Sequence, residues 1–255
     1  MRLLDAIEDK NGPVAADKVL AVLRRVMTWH ASRSDEFRSP IVRGMARTKP
    51  KERARSRTLS DEELRAVWIA AESAQGPFPA LIRFLLLTAA RRDEAADLPW
   101  SEIEPNWDWV LPADRHKTGK VIGDLVRPLS RAAQDLLTGL PKIGDGNFVF
   151  TTGSGEVPIS GFSKFKTRFD RMSGVRGWQL RDLRRTARSV MSRTGVPSDH
   201  AERVLGHVIP GIRGTYDRHE YRAEKAQAMD ALAAQIERIV RPPADNVVQL
   251  ANPHK

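Results

Sequence analysis

The sequence predicts an α+β, mainly helical protein: a bundle of helices with a small antiparallel sheet, preceded by a shorter helical segment. Three observations carry this reading. Most apolar residues recur at three- and four-residue spacing, the signature of one buried helix face. Two short, partly β-branched stretches, Trp107–Leu111 and Asp124–Leu129, flank the turn-prone Lys117-Thr118-Gly119-Lys120 and read as a hairpin or small meander, with Asn147–Phe150 as a candidate third strand. No internal repeat or low-complexity tract is present, and 255 residues are enough for one full domain plus a smaller piece.

The elements follow in order. Residues 1–42 contain Ala16, Val19, Leu20, Leu23, Val26 and Met27 on one helix face, after the turn Asn11-Gly12-Pro13. One or two helices cannot bury such a face alone, so the segment is expected to be the end of a small helical domain whose earlier helices are absent, or to pack on a partner. Residues 43–59 carry Arg43, Arg47, Lys49, Lys51, Arg53, Arg55 and Arg57 against one acid, Glu52, with Pro50 between them. Such a stretch is expected to be an extended basic linker, either lying along a phosphate backbone or serving as a solvated tether.

A main domain is expected over residues 60–241. It opens on Ser60-Asp61-Glu62-Glu63, the spacing of a capping box, and the first helix is expected to reach Ser73. Pro79–Ala90 is apolar all round and reads as a core helix ending on Arg91-Arg92-Asp93-Glu94. Further helices are expected over 130–137, 160–172, 183–193 and 197–205. The last, Ala223–Val240, has Ala226, Met229, Ala233, Ile236 and Val240 on one stripe and stops at Pro242-Pro243, leaving 242–255 as an expected disordered tail.

Composition narrows the partners. Lys and Arg number 42 against 32 Asp and Glu, a formal charge of +10. A polyanion is the simplest partner for that surface, because neutralising phosphates releases counterions; a generic basic surface is the alternative. There is no cysteine, which excludes disulfides and thiolate metal sites. No apolar run approaches the roughly 20 residues of a membrane span and no signal-peptide pattern opens the chain, so a soluble, cytoplasmic protein is expected.

Taken singly, the candidate reactive residues have ordinary explanations. Arg91 can complement a helix dipole, Lys117 and Lys120 can be solvated, His207 can end a helix, and Tyr216 or Tyr221 can be packing. Their order is more specific. Leu86-Leu87-Thr88 through Arg91-Arg92-Asp93-Glu94 to Leu98-Pro99-Trp100 resembles the first arginine box of the tyrosine recombinase (phage integrase) family. Lys117-Thr118-Gly119-Lys120 leading into Val126-Arg127-Pro128-Leu129-Ser130 is similar to that family's hairpin lysine and following strand. Trp178-Gln179-Leu180-Arg181-Asp182-Leu183-Arg184 resembles the second box, and Leu205-Gly206-His207 with Tyr216 nine residues on resembles the third box and its nucleophile.

The resemblance spans about Ser60 to Val240 and implies the roles. Arg91 and Arg184 are then the two arginines of the site, Lys117 the hairpin lysine, His207 the box histidine and Tyr216 the nucleophile. The second box departs from the family's usual His-x-x-Arg by placing Arg181 first; an arginine still donates to a phosphate, but its pKa above about 12 removes it as a general base. The resemblance further implies double-stranded DNA as partner, a homotetramer assembled through the last helix, a setting in a prophage or other bacterial mobile element, and residues 1–42 as part of a core-binding (SAM-like) domain. Packing of the last helix on its own domain would explain its stripe equally well.

The chemistry is consistent with the residues. Cutting DNA while conserving bond energy needs a covalent ester on a protein nucleophile, which a tyrosine supplies without ATP. Fixed guanidiniums suit the charge that builds on non-bridging oxygens, and a lysine on a mobile hairpin can protonate the leaving 5′ oxygen. No cofactor is expected, since the six histidines are scattered and no carboxylate cluster accompanies them. Two alternatives remain at this point: a DNA-binding remnant without catalysis, and a type IB topoisomerase-like relaxase.

Overall fold

A computed structural model describes residues 2–49, 55–143, 146–209, 211 and 219–242. The chain divides into two compact units, Met1–Ser56 and Arg57–Lys255.

The first unit is a helix pair, α1 (Arg2–Asn11) and α2 (Pro13–Ala31), joined through Gly12 at φ 84° with Pro13 at the first helical position, where its missing N–H costs nothing. Leu4, Ala16 and Leu20 are buried, whereas Val22, Val26 and Trp29 on α2 are more than half exposed. The basic stretch from residue 43, expected as part of an extended tether, is tied back onto this pair. Arg47 donates to Glu8 at 2.9 Å, its amide donates to Asp17 at 2.7 Å, and it pairs with Asp5. The repulsion among like charges is met there by three acids on the two helices.

The second unit is built on α4 (Pro77–Thr88). Its Phe78, Leu81, Ile82, Phe84, Leu85, Leu86 and Leu87 are all at most 2% exposed, as a helix apolar on every side requires. Around it lie α3 (Asp61–Ser73), α7 (Arg131–Thr138), α9 (Leu180–Arg193) and the last described helix, α11 (Arg222–Val240). The capping box at the start of α3 forms as read: Ser60 Oγ accepts from the Glu63 amide at 3.2 Å and Glu63 accepts from the Ser60 amide at 2.9 Å.

Short α5 (Arg92–Ala96) follows α4 after a left-handed Ala89, φ 51°. Next come strand β1 (Asp108–Leu111), the helical turn α6 (Gly119–Ile122) and β2 (Leu125–Pro128). The strands are antiparallel, with Trp109 opposite Arg127 and Leu111 opposite Leu125. The candidate third strand near Phe148 contributes only isolated bridges, Pro99 to Phe148 and Thr151 to Pro158. Helices α8 (Phe162–Ser173) and α10 (Ser198–Leu205) complete the unit.

For the last helix the structure shows the second of the two coverings its stripe allowed, packing on its own domain. Its buried face is Ala228, Met229, Leu232, Ile236, Ile239 and Val240, covered by α3, α4, α9 and α10 of the same unit. Arg65 of α3 also caps it, donating to the Ile239 carbonyl at 2.7 Å. The stripe is therefore buried within the chain, and docking on a neighbouring subunit is not required to cover it.

Candidate active site

Three consecutive carbonyls at the end of α10 gather the site. A helix leaves its last carbonyls unpaired and carries partial negative charge there, so donors collect at that end. Arg127 Nε of β2 donates to Val204 O at 3.0 Å, Arg184 Nη2 of α9 donates to Leu205 O at 2.6 Å, and Thr118 Oγ1 of the lysine loop donates to Gly206 O at 2.7 Å. Gly206 caps the helix in the left-handed region, φ 67°, and a Cβ there would lie 2.4 Å from Leu125 Cδ2. One helix end thus fixes β2, α9 and the loop carrying Lys117.

Arg91, at the start of α5, and Arg184, one turn into α9, meet across the end of α4. Arg184 Nη1 donates to Ala89 O at 2.7 Å, two residues before Arg91. Arg91, Arg181 and Arg184 line one cleft of about 640 Å3 with Arg92 and Lys166, and Asp93 is the one acid in its lining among the described residues. Arg181 is exposed and its Nε donates to the Gln179 side chain at 2.7 Å.

His207 follows directly. Arg184 Nη2 lies 3.0 Å from His207 Nε2, and His207 Nδ1 is hydrogen-bonded to Glu202. A guanidinium only donates, so Nε2 is the acceptor and the ring proton sits on Nδ1, facing the Glu202 carboxylate. Burial raises the Glu202 carboxyl, but hydrogen bonds from Arg188 and His207 outweigh it and hold the group below its ordinary value.

Beneath the cleft is a buried carboxylate that the sequence reading did not assign. Glu94, its side chain 3% exposed, accepts from Arg91 Nη1 at 2.5 Å and from Arg127 Nη2 at 2.7 Å. Burial alone would raise its pKa; the charge of Arg127 and the hydrogen bonds from Arg91 prevail and bring it to about 2. Arg127 is fully buried, and burial pushes it down against the upward pull of Glu94. Arg184 is depressed to about 9, by burial first and then by the charges of Arg127 and Arg91. Two guanidiniums therefore share one carboxylate, and the charges of both bear on Arg184. An anion entering the cleft would relieve that repulsion.

Glu94, Arg127 and Glu202 left only a faint signal in the sequence. Arg127 alternates with Leu125 and Leu129, which marks an inward charge that must find a partner, but nothing local names Glu94 as that partner.

Lys117 and Lys120 are both exposed, and the loop holding Lys117 is fastened on either side of it. Arg115 donates to Asp97 O at 2.7 Å and pairs with Glu102, while Thr118 reaches Gly206. Gly119 is demanded by close approach: a Cβ there would stand 1.8 Å from Ala113 O. Lys117 lies in the turn just before α6, within the connection between β1 and β2, and these contacts fasten it on either side. Tyr216 lies outside the described residues. Tyr221 does not: Arg203 stacks on its ring at 3.7 Å, and His219 and His200 approach it at 4.6 and 5.8 Å.

The fold compares directly with solved structures. A lambda integrase (75–356) dimer bound to a COC′ core site superposes with TM-score 0.65 over 81% of this chain and 76% of that one, at 16% identity. The chain has the tyrosine recombinase catalytic-domain fold. XerH site-specific recombinase bound to difH substrate shares this tyrosine recombinase fold, with TM-score 0.61 over 82% of this chain and 63% of that one, at 15% identity. The Tn1549 transposon integrase (82–397) in complex with circular intermediate DNA gives 0.59 over 86% and 79%, at 15% identity.

In sequence, Prophage integrase IntF of Escherichia coli (strain K12) is 26% identical over 155 residues, 58% of this chain. The match spans 32% of that relative's length. No family model matches the chain. Among the described residues, no helix is long and apolar enough to cross a membrane.

Proposed function

We propose that the chain is a site-specific DNA recombinase that cuts and rejoins strands through a 3′-phosphotyrosine intermediate. The observation that carries this reading is the cluster of Arg91, Arg127 and Arg184 around the single buried Glu94 at an open basic cleft, an excess of fixed positive charge suited to a phosphodiester. The likeness to the prophage integrase, and to integrases and a recombinase solved on DNA, supports it.

In the proposed reaction the Tyr216 phenol oxygen attacks the scissile phosphorus while the bond to the 5′ oxygen breaks. Arg91, Arg181 and Arg184 hold the non-bridging oxygens. Lys117 gives a proton to the departing 5′ oxygen. Arg181, always charged, cannot take the phenol proton. His207 Nε2, an acceptor in its bond with Arg184, takes it once Arg184 turns to the phosphate. Rejoining reverses each transfer, with a DNA 5′ hydroxyl attacking the tyrosyl ester.

Residues 60–241 form the catalytic domain in this proposal. Residues 1–42 form part of a helical DNA-binding domain, and 43–59 join the two. The working assembly is a homotetramer on two DNA sites, a state supported by the likeness to a lambda integrase tetramer bound to a Holliday junction, TM-score 0.64. A randomised pool of nicked duplexes tests the reading: the chain should yield a protein–DNA adduct that survives detergent, enriched in particular sequences. Binding without an adduct would refute it and favour a DNA-binding remnant.

A further inference from the structure

We propose that Arg127 is a positioning residue of this site: from within the core it neutralises Glu94, and so leaves the charges of Arg91 and Arg184 to the scissile phosphate. The inference rests on the phosphoryl-transfer reading above.

The placement is costly unless the charge has a use. Arg127 sits on β2 between inward-facing Leu125 and Leu129, is 0% exposed and is absent from the lining of the cleft. A hydrophobic side chain would fill such a position with less desolvation, and buried ion pairs can often be replaced that way without loss of stability. Its hydrogen bonds are Nη2 to Glu94 at 2.7 Å and Nε to Val204 O at 3.0 Å, and its guanidinium carbon lies 4.9 Å from the centre of the facing Trp109 ring. Nη1 is buried with no hydrogen-bond partner among the described residues. A pair built for stability alone would use that donor.

Charge balance gives the reason. With Arg127 present, one carboxylate is divided between two guanidiniums, and the three arginines keep an excess of two positive charges. Without it, Glu94 would belong wholly to Arg91, the excess would fall to one, and the Arg91 fork would be drawn from the cleft toward the core. The bond to Val204 O adds a geometric link, because the next carbonyl, Leu205 O, holds Arg184. Loss of Arg127 therefore disturbs both phosphate-binding arginines without removing a group that touches DNA.

The test uses the full chain and the duplex captured from the nicked pool, made once with an ordinary scissile phosphate and once with an uncharged methylphosphonate. In Arg127→Met, adduct formation on the phosphate should slow by more than about tenfold while the methylphosphonate rate changes less than about threefold, since only the charged substrate uses the missing excess. Adding Glu94→Gln restores the charge balance, and the double variant should recover most of the phosphate rate. Arg127→Lys keeps the charge and should retain the wild-type ratio. If Arg127→Met does not fold, the other two variants carry the test. An equal slowing on both substrates, or a double variant as impaired as Arg127→Met, would overturn the inference in favour of a purely structural role. A separate arm measures stabilisation by inorganic phosphate. If the wild type forms no adduct but Arg127→Met weakens phosphate binding and Glu94→Gln restores it, the recombinase reading falls and the charge balance stands. Unchanged phosphate binding with no adduct rejects both.

Discussion

Replacing Arg184 by lysine separates a positive charge from a planar fork. The wild-type guanidinium spans Ala89 O at 2.7 Å, Leu205 O at 2.6 Å and His207 Nε2 at 3.0 Å, using Nη1 for the first and Nη2 for the other two. A single ammonium cannot hold both carbonyls in that geometry, so at least one charge-assisted bond, worth about 1.5–3 kcal/mol, is lost and a buried carbonyl is left open. For a unit of this size the melting temperature should fall by roughly 5–10 °C. Removing a preorganised donor from a developing oxyanion costs about 10²–10³ in rate, and adduct formation by Arg184→Lys should slow by that factor at saturating DNA and at a temperature where the variant is fully folded. A rate within about threefold of wild type, with the melting temperature unmoved, would refute both the assignment of Arg184 to the phosphate and its role in joining α4, α9 and α10.

Other consequences follow from single contacts. Glu94 sits at about 2 in the folded chain against an ordinary 4.5, a difference of about 3 kcal/mol; its stabilisation is full above about pH 4.5 and is lost as pH falls toward 2. Denaturant titrations of wild type and Glu94→Gln should therefore differ most near neutrality and converge across that window. Gly119→Ala drives a Cβ into Ala113 O and should displace the Lys117 turn, reducing adduct formation by at least about tenfold while DNA affinity changes little. Arg181→Ala, losing an exposed side chain of the cleft, should weaken DNA binding and leave the melting temperature within about 1–2 °C of wild type.

Local patterns were legible in the sequence because the forces behind them are local. The capping box at Ser60, the all-apolar α4 and the hairpin about Lys117 each depend on residues a few positions apart, and each appears where expected. The bond of Arg184 to His207 joins two boxes whose order had already pointed to one site. What stayed hidden depends on distant partners. Glu94 and Arg127 are 33 residues apart, and neither shows from sequence that one carboxylate would be shared by two arginines. Arg47 looked like one more charge in a tether because its partners Glu8 and Asp17 lie on helices well upstream. The inward stripe of the last helix was visible, but which surface covers it is decided by α3, α4, α9 and α10. The contact of Gly119 with Ala113 is a matter of a few tenths of a nanometre that no pattern of residue types encodes.

Tyr221 gives the sharpest contrast for the nucleophile, since it is the only other tyrosine and its ring is already stacked by Arg203 and flanked by two histidines. The most direct measurement is to digest the detergent-stable DNA adduct and locate the nucleotide-bearing residue by mass spectrometry. The account predicts the phosphate on Tyr216, with no adduct from Tyr216→Phe and adduct retained by Tyr221→Phe. A phosphate on Tyr221, or an adduct that persists in Tyr216→Phe, would contradict it.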